Sequence, residues 1–148
     1  MSDAEPVRVA FVCVQNAGRS QMSTAFAEAE RDARGLTDIV EILTGGTHPA
    51  DHVHEAVVTV MGEAGFDLSG NVPREIATEE LESCDYVATM GCSTLELDAD
   101  ASEVDVRDWA LADPDGRPLD EVREIRDEVR ARVSALFDEI EREVLPSA

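Results

Sequence analysis

Val7-Arg8-Val9-Ala10-Phe11-Val12 runs directly into Cys13-Val14-Gln15-Asn16-Ala17-Gly18-Arg19-Ser20, and then into Gln21-Met22-Ser23-Thr24-Ala25-Phe26-Ala27-Glu28-Ala29-Glu30. The first segment is mostly apolar and reads as a buried strand over Val7 to Val12. The second is short, polar and contains a glycine, which reads as a loop. The third reads as a helix over Ser20 to Ala33, with Met22, Ala25, Phe26 and Ala29 on one face and a stop at Gly35. A loop between a strand end and a helix N-terminus is suited to anions. Its backbone N–H groups can converge on one concavity, and the helix dipole adds partial positive charge there.

Cys13 and Arg19 stand six positions apart, at the two ends of this loop. The local field suits a thiolate at Cys13. The planar fork of Arg19 can meet two oxygens of one oxyanion. Asn16 can hold the loop shape or tolerate a left-handed backbone. Ser20 can hydrogen-bond the thiolate or cap the helix. Val14, Gln15, Asn16, Ala17 and Gly18, with Arg19 and Ser20, form the candidate cradle. Taken singly, Cys13 reads as a strand-end core residue and Arg19 as a solvated helix residue. Taken together, the residues point to attack by a thiolate on a tetrahedral oxyanion.

The Cys-x5-Arg loop from Cys13 to Arg19, with Asn16 and Ser20 in place, resembles that of the low-molecular-weight protein tyrosine phosphatase superfamily. The resemblance runs from about Val7 to about Val144, and the loop is its most specific part. Arg19-Ser20-Gln21-Met22 is more similar to the arsenate reductases that share the fold. So is the passage from Val53-His54 through Val60-Met61 to Asp67-Leu68-Ser69.

With 148 residues, the chain is read as one domain over 1–148, with 1–6 as a mobile leader. No stretch is long and apolar enough for a membrane span or a signal peptide, so the expected location is cytoplasmic, away from any membrane. Three cysteines are an odd number, which argues against a disulfide framework and fits reduced or redox-active thiols. Twelve basic residues face 33 acidic ones, a net charge of −21. Such a surface argues against nucleic acid as a partner. With 43% hydrophobic residues and clear periodicity, the acidity points to a folded chain from a halophile. The same charge repels an anionic substrate, so capture falls to the local field of the loop, and high salt eases the repulsion.

Further along, Ile39 to Leu43 reads as a second strand, followed by a Thr44-Gly45-Gly46-Thr47 turn. His48, His52 and His54 invite a metal reading, but no further ligand cluster accompanies them, and a polar loop entering a helix is preferred. That helix is read over Val53 to Ala64 and closes at Gly65. Phe66 to Arg74 is an irregular connection, and Thr78 to Ser83 a short helix capped at Thr78. Asp85 to Met90 is the third strand, and Val104 to Arg107 the fourth. Glu96 to Glu103 reads as an exposed, mobile segment, and Trp109 to Pro118 as a loop. Leu119 to Val144 carries Val122, Ile125, Val129, Val133, Leu136 and Ile140 at helical spacing and is read as one long helix packed on the core. The implied fold is α/β: a three-layer, four-stranded parallel sheet with helices on both faces, low-molecular-weight phosphatase-like. Ligands in such folds bind beyond the C-terminal ends of strands, where Cys13 and Cys92 fall.

The resemblance implies two further roles. Asp113, in Asp113-Pro114, would be the general acid, although Asp113-Pro114-Asp115-Gly116 also has the composition of a plain turn. Asp115 is a weaker substitute. Cys92 would attack the arsenic-loaded nucleophile, release arsenite and leave a disulfide. Many such reductases carry a further cysteine shortly after this one. Here Ser93-Thr94-Leu95-Glu96-Leu97-Asp98 contains none. Cys84 lies across a predicted strand from Cys92 and is read as structural. Two routes remain open: a Cys13–Cys92 disulfide reduced from outside, or an external thiol that attacks the Cys13 adduct directly. The external reductant would be a thioredoxin-like protein or a small thiol.

Three functions are therefore in view. The first is arsenate reduction by Cys13, Arg19, Asp113 and Cys92. The second is hydrolysis of a phosphate monoester through a cysteinyl-phosphate, without Cys92. Asp115 rather than an aromatic residue follows Asp113-Pro114, and the chain has one Tyr and one Trp to stack a phosphotyrosine ring. That favours the inorganic substrate. The third is a non-catalytic oxyanion-binding or redox-sensing module. The chemistry calls for no metal and no organic cofactor.

Overall fold

A computed structural model describes residues 6–13, 15–46, 48–90, 105–109, 111–112, 114 and 116–144. In chain order the elements are β1 (Val7–Cys13), α1 (Arg19–Ala33), β2 (Val40–Gly46), α2 (Glu55–Glu63), α3 (Thr78–Glu82), β3 (Tyr86–Thr89), β4 (Asp105–Asp108) and α4 (Leu119–Val144). The strands form one sheet of four, ordered β2-β1-β3-β4. Every pairing is parallel, with Val7 opposite Val40, Val9 opposite Tyr86 and Tyr86 opposite Asp105.

β1 is a central strand, and its composition explains why. Val9, Ala10, Phe11 and Val12 are all fully buried, although alternate residues of a strand point to opposite faces. Both faces of the sheet are therefore covered, as parallel sheets require. α4 supplies much of that cover. Its predicted stripe of Val122, Ile125, Val129, Val133, Leu136 and Ile140 is buried, and Phe137 joins it. α4 is tied to α1 by Arg34, which pairs with Glu141 and Asp138, each at 2.9 Å. Arg130 lies over the Phe26 ring, which in turn meets Phe66 edge-on. Arg123 pairs with Glu63 at 2.8 Å, and Arg126 donates to the Val60 carbonyl at 2.9 Å, fastening α2 to the same helix. Among the described residues no helix is long and apolar enough to cross a membrane.

Two local expectations need correction. The predicted turn at Thr44-Gly45-Gly46 is the end of β2. A distant segment pairs with it: the Gly46 N–H donates to the Arg74 carbonyl at 2.9 Å, and the Ile76 N–H donates back to the Gly46 carbonyl at 3.3 Å. Gly45 is needed there for close approach, since a Cβ on it would stand 2.4 Å from the Ile76 Cβ. The second correction concerns α3, whose cap is Ala77 rather than Thr78. Glu80 reaches back to accept from the Ala77 N–H at 3.1 Å, which holds its carboxyl below the usual range.

Candidate active site

β1 delivers Cys13 to the C-terminal edge of the sheet, and α1 begins six residues later at Arg19. β3 closes the other side: Met90 donates its N–H to the Val12 carbonyl at 3.0 Å. The first N–H groups of α1 have no acceptor within the helix and, with the dipole, lend the loop partial positive charge.

Within the loop Asn16 has φ 51°, the one positive φ among described residues other than glycine. Its short amide side chain tolerates that conformation. The turn directs the Asn16 N–H to Cys13 Sγ at 3.2 Å, while Ser20 Oγ lies 2.9 Å from the same sulfur. The Asn16 side chain donates to Ser20 Oγ at 2.8 Å and to Thr44 Oγ1 at 2.9 Å. Its Oδ1 accepts from Gln21 Nε2 at 3.1 Å and from the Arg74 N–H at 3.0 Å. The amide of Asn16 is thus satisfied on all sides. The back of the loop is braced as well: Ala50 N–H donates to the Gln15 carbonyl and His54 N–H to the Ala17 carbonyl, both at 3.0 Å.

Arg19 donates through Nη1 to the Leu111 carbonyl at 3.0 Å. A Cβ on Gly18 would stand 3.0 Å from Pro114 Cγ and 3.4 Å from His54 Cδ2. Leu111 and Pro114, which flank Asp113 in sequence, therefore both approach the oxyanion loop. Glycine at 18 permits the closer of these approaches.

The structure thus brings together Cys13, Gln15, Asn16, Ala17, Gly18, Arg19 and Ser20. Val14, Cys92, Asp113 and Asp115 lie outside the described residues. Of the three histidines, His54, the residue capping α2, lies against the loop at Gly18. Among the described residues no group of three His, Cys, Asp or Glu side chains is placed to hold a metal.

Sequence reasoning missed the clamp on Asn16 from Gln21, Thr44 and Arg74, and the hold of Asn71 on Gln21. A weak signal was there: Gln21 and Ser23 are polar residues on the buried part of α1. Gln21 turns to Asn16 and Asn71, and Ser23 to the Arg19 carbonyl and Met90 Sδ, whereas Thr44 and Arg74 reach Asn16 from β2 and from the connector after α2, which no spacing rule links to the loop.

Cys84 is at the other edge of the sheet. The adjacent Asp85 N–H donates to the Arg8 carbonyl, five residues before Cys13 on β1, so the two cysteines are offset along the strand direction by about 16 Å at about 3.3 Å per residue. Cys84 Sγ donates to the Glu80 carbonyl at 3.3 Å. Burial pushes this thiol up to about 11.

Residues 8–145 match the family model described as low molecular weight phosphotyrosine protein phosphatase. The chain belongs to that family. A Halobacterium salinarum protein provisionally named an arsenate reductase is 71% identical over 139 residues, covering 94% of this chain and 96% of that one. The glutaredoxin arsenate reductase of Synechocystis is 30% identical over 134 residues, covering 90% and 98%. A solved arsenate reductase in a phosphate-binding state superposes with a TM-score of 0.75 at 31% identity, covering 90% of this chain and 98% of the other. The four-stranded α/β fold with its Cys-x5-Arg loop is thus the family fold.

Proposed function

We propose that this protein is a cytoplasmic, thiol-dependent arsenate reductase in which Cys13 is the nucleophile. The observation that carries the reading is the seating of Cys13: its sulfur receives the Asn16 N–H and touches Ser20 Oγ beside the N-terminus of α1. Those contacts support a nucleophilic sulfur over a core cysteine. The 71% identity to the Halobacterium relative supports arsenate as the substrate.

In this reading the loop and Arg19 hold the arsenate oxygens. The Cys13 thiolate attacks arsenic, and Asp113 protonates the departing oxygen, which leaves as water. Cys92 then attacks Cys13 Sγ. A sulfur–sulfur bond forms, the sulfur–arsenic pair stays on arsenic, and arsenite departs. An external thiol, from a thioredoxin- or glutaredoxin-type protein or a small molecule, returns the disulfide to two thiols. The remote, buried position of Cys84 supports a reductant from outside, because Cys84 is far from Cys13 on the same sheet. Direct attack of that external thiol on the Cys13 adduct is the variant route.

The family match also supports phosphate monoester hydrolysis through Cys13, Arg19 and Asp113, with Cys92 idle. One experiment separates the readings. Arsenite formation, with reductant supplied, and phosphate release from an aryl phosphate are measured side by side in high salt for the parent, Cys13→Ser, Cys92→Ser and Asp113→Asn. Arsenite formation lost in both cysteine variants is the expected result. Arsenite formation that survives in Cys92→Ser selects the direct external route. Aryl phosphate hydrolysis that needs Cys13 and Asp113, with no arsenite formed by the parent, would overturn the reductase reading.

A further inference from the structure

We infer that Gln21 and Asn71 are positioning residues that act on the nucleophile through Asn16, so that a surface side chain of the connector after α2 governs how Cys13 is presented. The inference rests on Cys13 being the nucleophile.

The chain of contacts is continuous. Gln21 is 4% exposed and sits in the first turn of α1. Its Nε2 donates to the Asn16 carbonyl at 3.0 Å and to Asn16 Oδ1 at 3.1 Å. Both acceptors belong to the residue whose left-handed turn aims an N–H at Cys13 Sγ. The Asn16 side chain also sets Ser20 Oγ, the other polar neighbour of that sulfur. Gln21 therefore holds the backbone and the side chain of Asn16 with one NH2 group.

That hold works in only one orientation of the Gln21 amide. Turned over, its oxygen would face two oxygens of Asn16, acceptor against acceptor. Asn71 selects the working orientation, because its Nδ2 donates to Gln21 Oε1 at 3.1 Å. Asn71 is exposed, yet its place is defined by the local chain. The Asn71 N–H donates to the Leu68 carbonyl at 3.1 Å, and Asp67 Oδ1 accepts from Ser69 N at 3.0 Å and Ser69 Oγ at 2.6 Å. Three residues further on, the Arg74 N–H reaches Asn16 Oδ1 at 3.0 Å, and its Nη1 the Thr44 carbonyl at 2.8 Å. The connector thus grips the loop at two points. The Asn71 point acts through Gln21, whose amide direction it selects, and the Arg74 point acts on Asn16 directly.

The test uses the full chain with Asn71→Ala, Gln21→Ala, the double variant and Asn71→His, which keeps a donor. Four quantities are read: the rate of Cys13 alkylation by iodoacetamide, located by mass spectrometry; kcat for arsenate; KM for arsenate; and Tm. Asn71→Ala is expected to slow alkylation and kcat together by about tenfold, as a displaced nucleophile does, with KM and Tm near parental values. Asn71→His regains most of the rate. The double variant is no slower than Gln21→Ala alone, because the two act in series. Parental alkylation and kcat in Asn71→Ala would overturn the inference. So would losses that multiply in the double variant. Arsenate turnover by Cys13→Ser would remove the proposed nucleophile, a failure of the functional reading that the alkylation rates report separately.

Discussion

The two edges of the central sheet each hold a buried cysteine. Cys13 at the C-terminal edge is 3% exposed, and Cys84 at the N-terminal edge is 4% exposed, so exposure does not distinguish them. Their partners do. Cys13 Sγ receives an N–H from a left-handed turn and lies against a hydroxyl, at the start of α1. Cys84 Sγ gives its own hydrogen to the Glu80 carbonyl, just past the end of α3, and burial pushes the thiol up to about 11. In a parallel sheet the strand C-termini meet helix N-termini and the strand N-termini follow helix C-termini. One edge therefore gathers donors and the other gathers acceptors. The direction of the chain, more than burial, separates the surroundings of the proposed nucleophile from those of Cys84.

The sharpest way to break this comparison is to remove each sulfur in turn. Cys13→Ser is expected to lower arsenate turnover by about a thousandfold or more, because a serine hydroxyl is a far weaker nucleophile in this setting. Phosphate binding, measured by calorimetry, persists. Cys84→Ala is expected to leave turnover within about twofold of the parent, since it removes no group near the loop. Comparable losses in both variants would show that the two edges are not functionally distinct.

A smaller effect concerns alkaline stability. The folded chain keeps the Cys84 proton up to about 11, whereas an unfolded thiol loses it near its ordinary value of 9.0. The raised folded value means that the stabilisation is complete below pH 9 and is lost as pH climbs towards 11. Thermal melts from pH 8 to 11 should fall for the parent and fall less steeply for Cys84→Ala. Identical slopes would mean that Cys84 titrates normally in the fold.

The mildest effect is on substrate capture. With a net charge of −21, the molecule repels an oxyanion at long range, and the proposed loop attraction acts at short range. Raising KCl from moderate to molar concentrations should lower KM for arsenate by about threefold, because screening acts on distant charges before adjacent ones. Native alkylation of Cys13 by neutral iodoacetamide, in a range where Tm is constant, should not follow that trend. A KM that rises with salt would place the dominant field at the loop itself.

Much of this architecture was legible in the chain. The apolar run into Cys13 marked β1, and the stripe from Val122 to Ile140 marked α4, because strand and helix periodicities are local properties. The loop from Cys13 to Ser20 was readable because its donors and its cysteine are contiguous. Gly45 and Gly46 read locally as a turn, since glycine pairs signal turns, while the segment that binds them, Arg74 to Ile76, is far along the chain. Residue type alone points to Thr78 as the cap, whereas Ala77 holds that position and Glu80 closes the helix end from inside.

The sequence by itself determined that a cysteine and an arginine would flank a loop suited to anions, since seven contiguous residues carry that information. It also determined the sign of the long-range field, because net charge needs no fold. Only the tertiary structure decided what holds the loop. The left-handed Asn16 is fastened by Gln21, Thr44 and Arg74, and Asn71 fastens Gln21 in turn. Those partners converge because β2 pairs with β1 and the connector after α2 folds back over both. Hydrogen bonds between residues 28 to 58 positions apart exist only once the sheet has set its register.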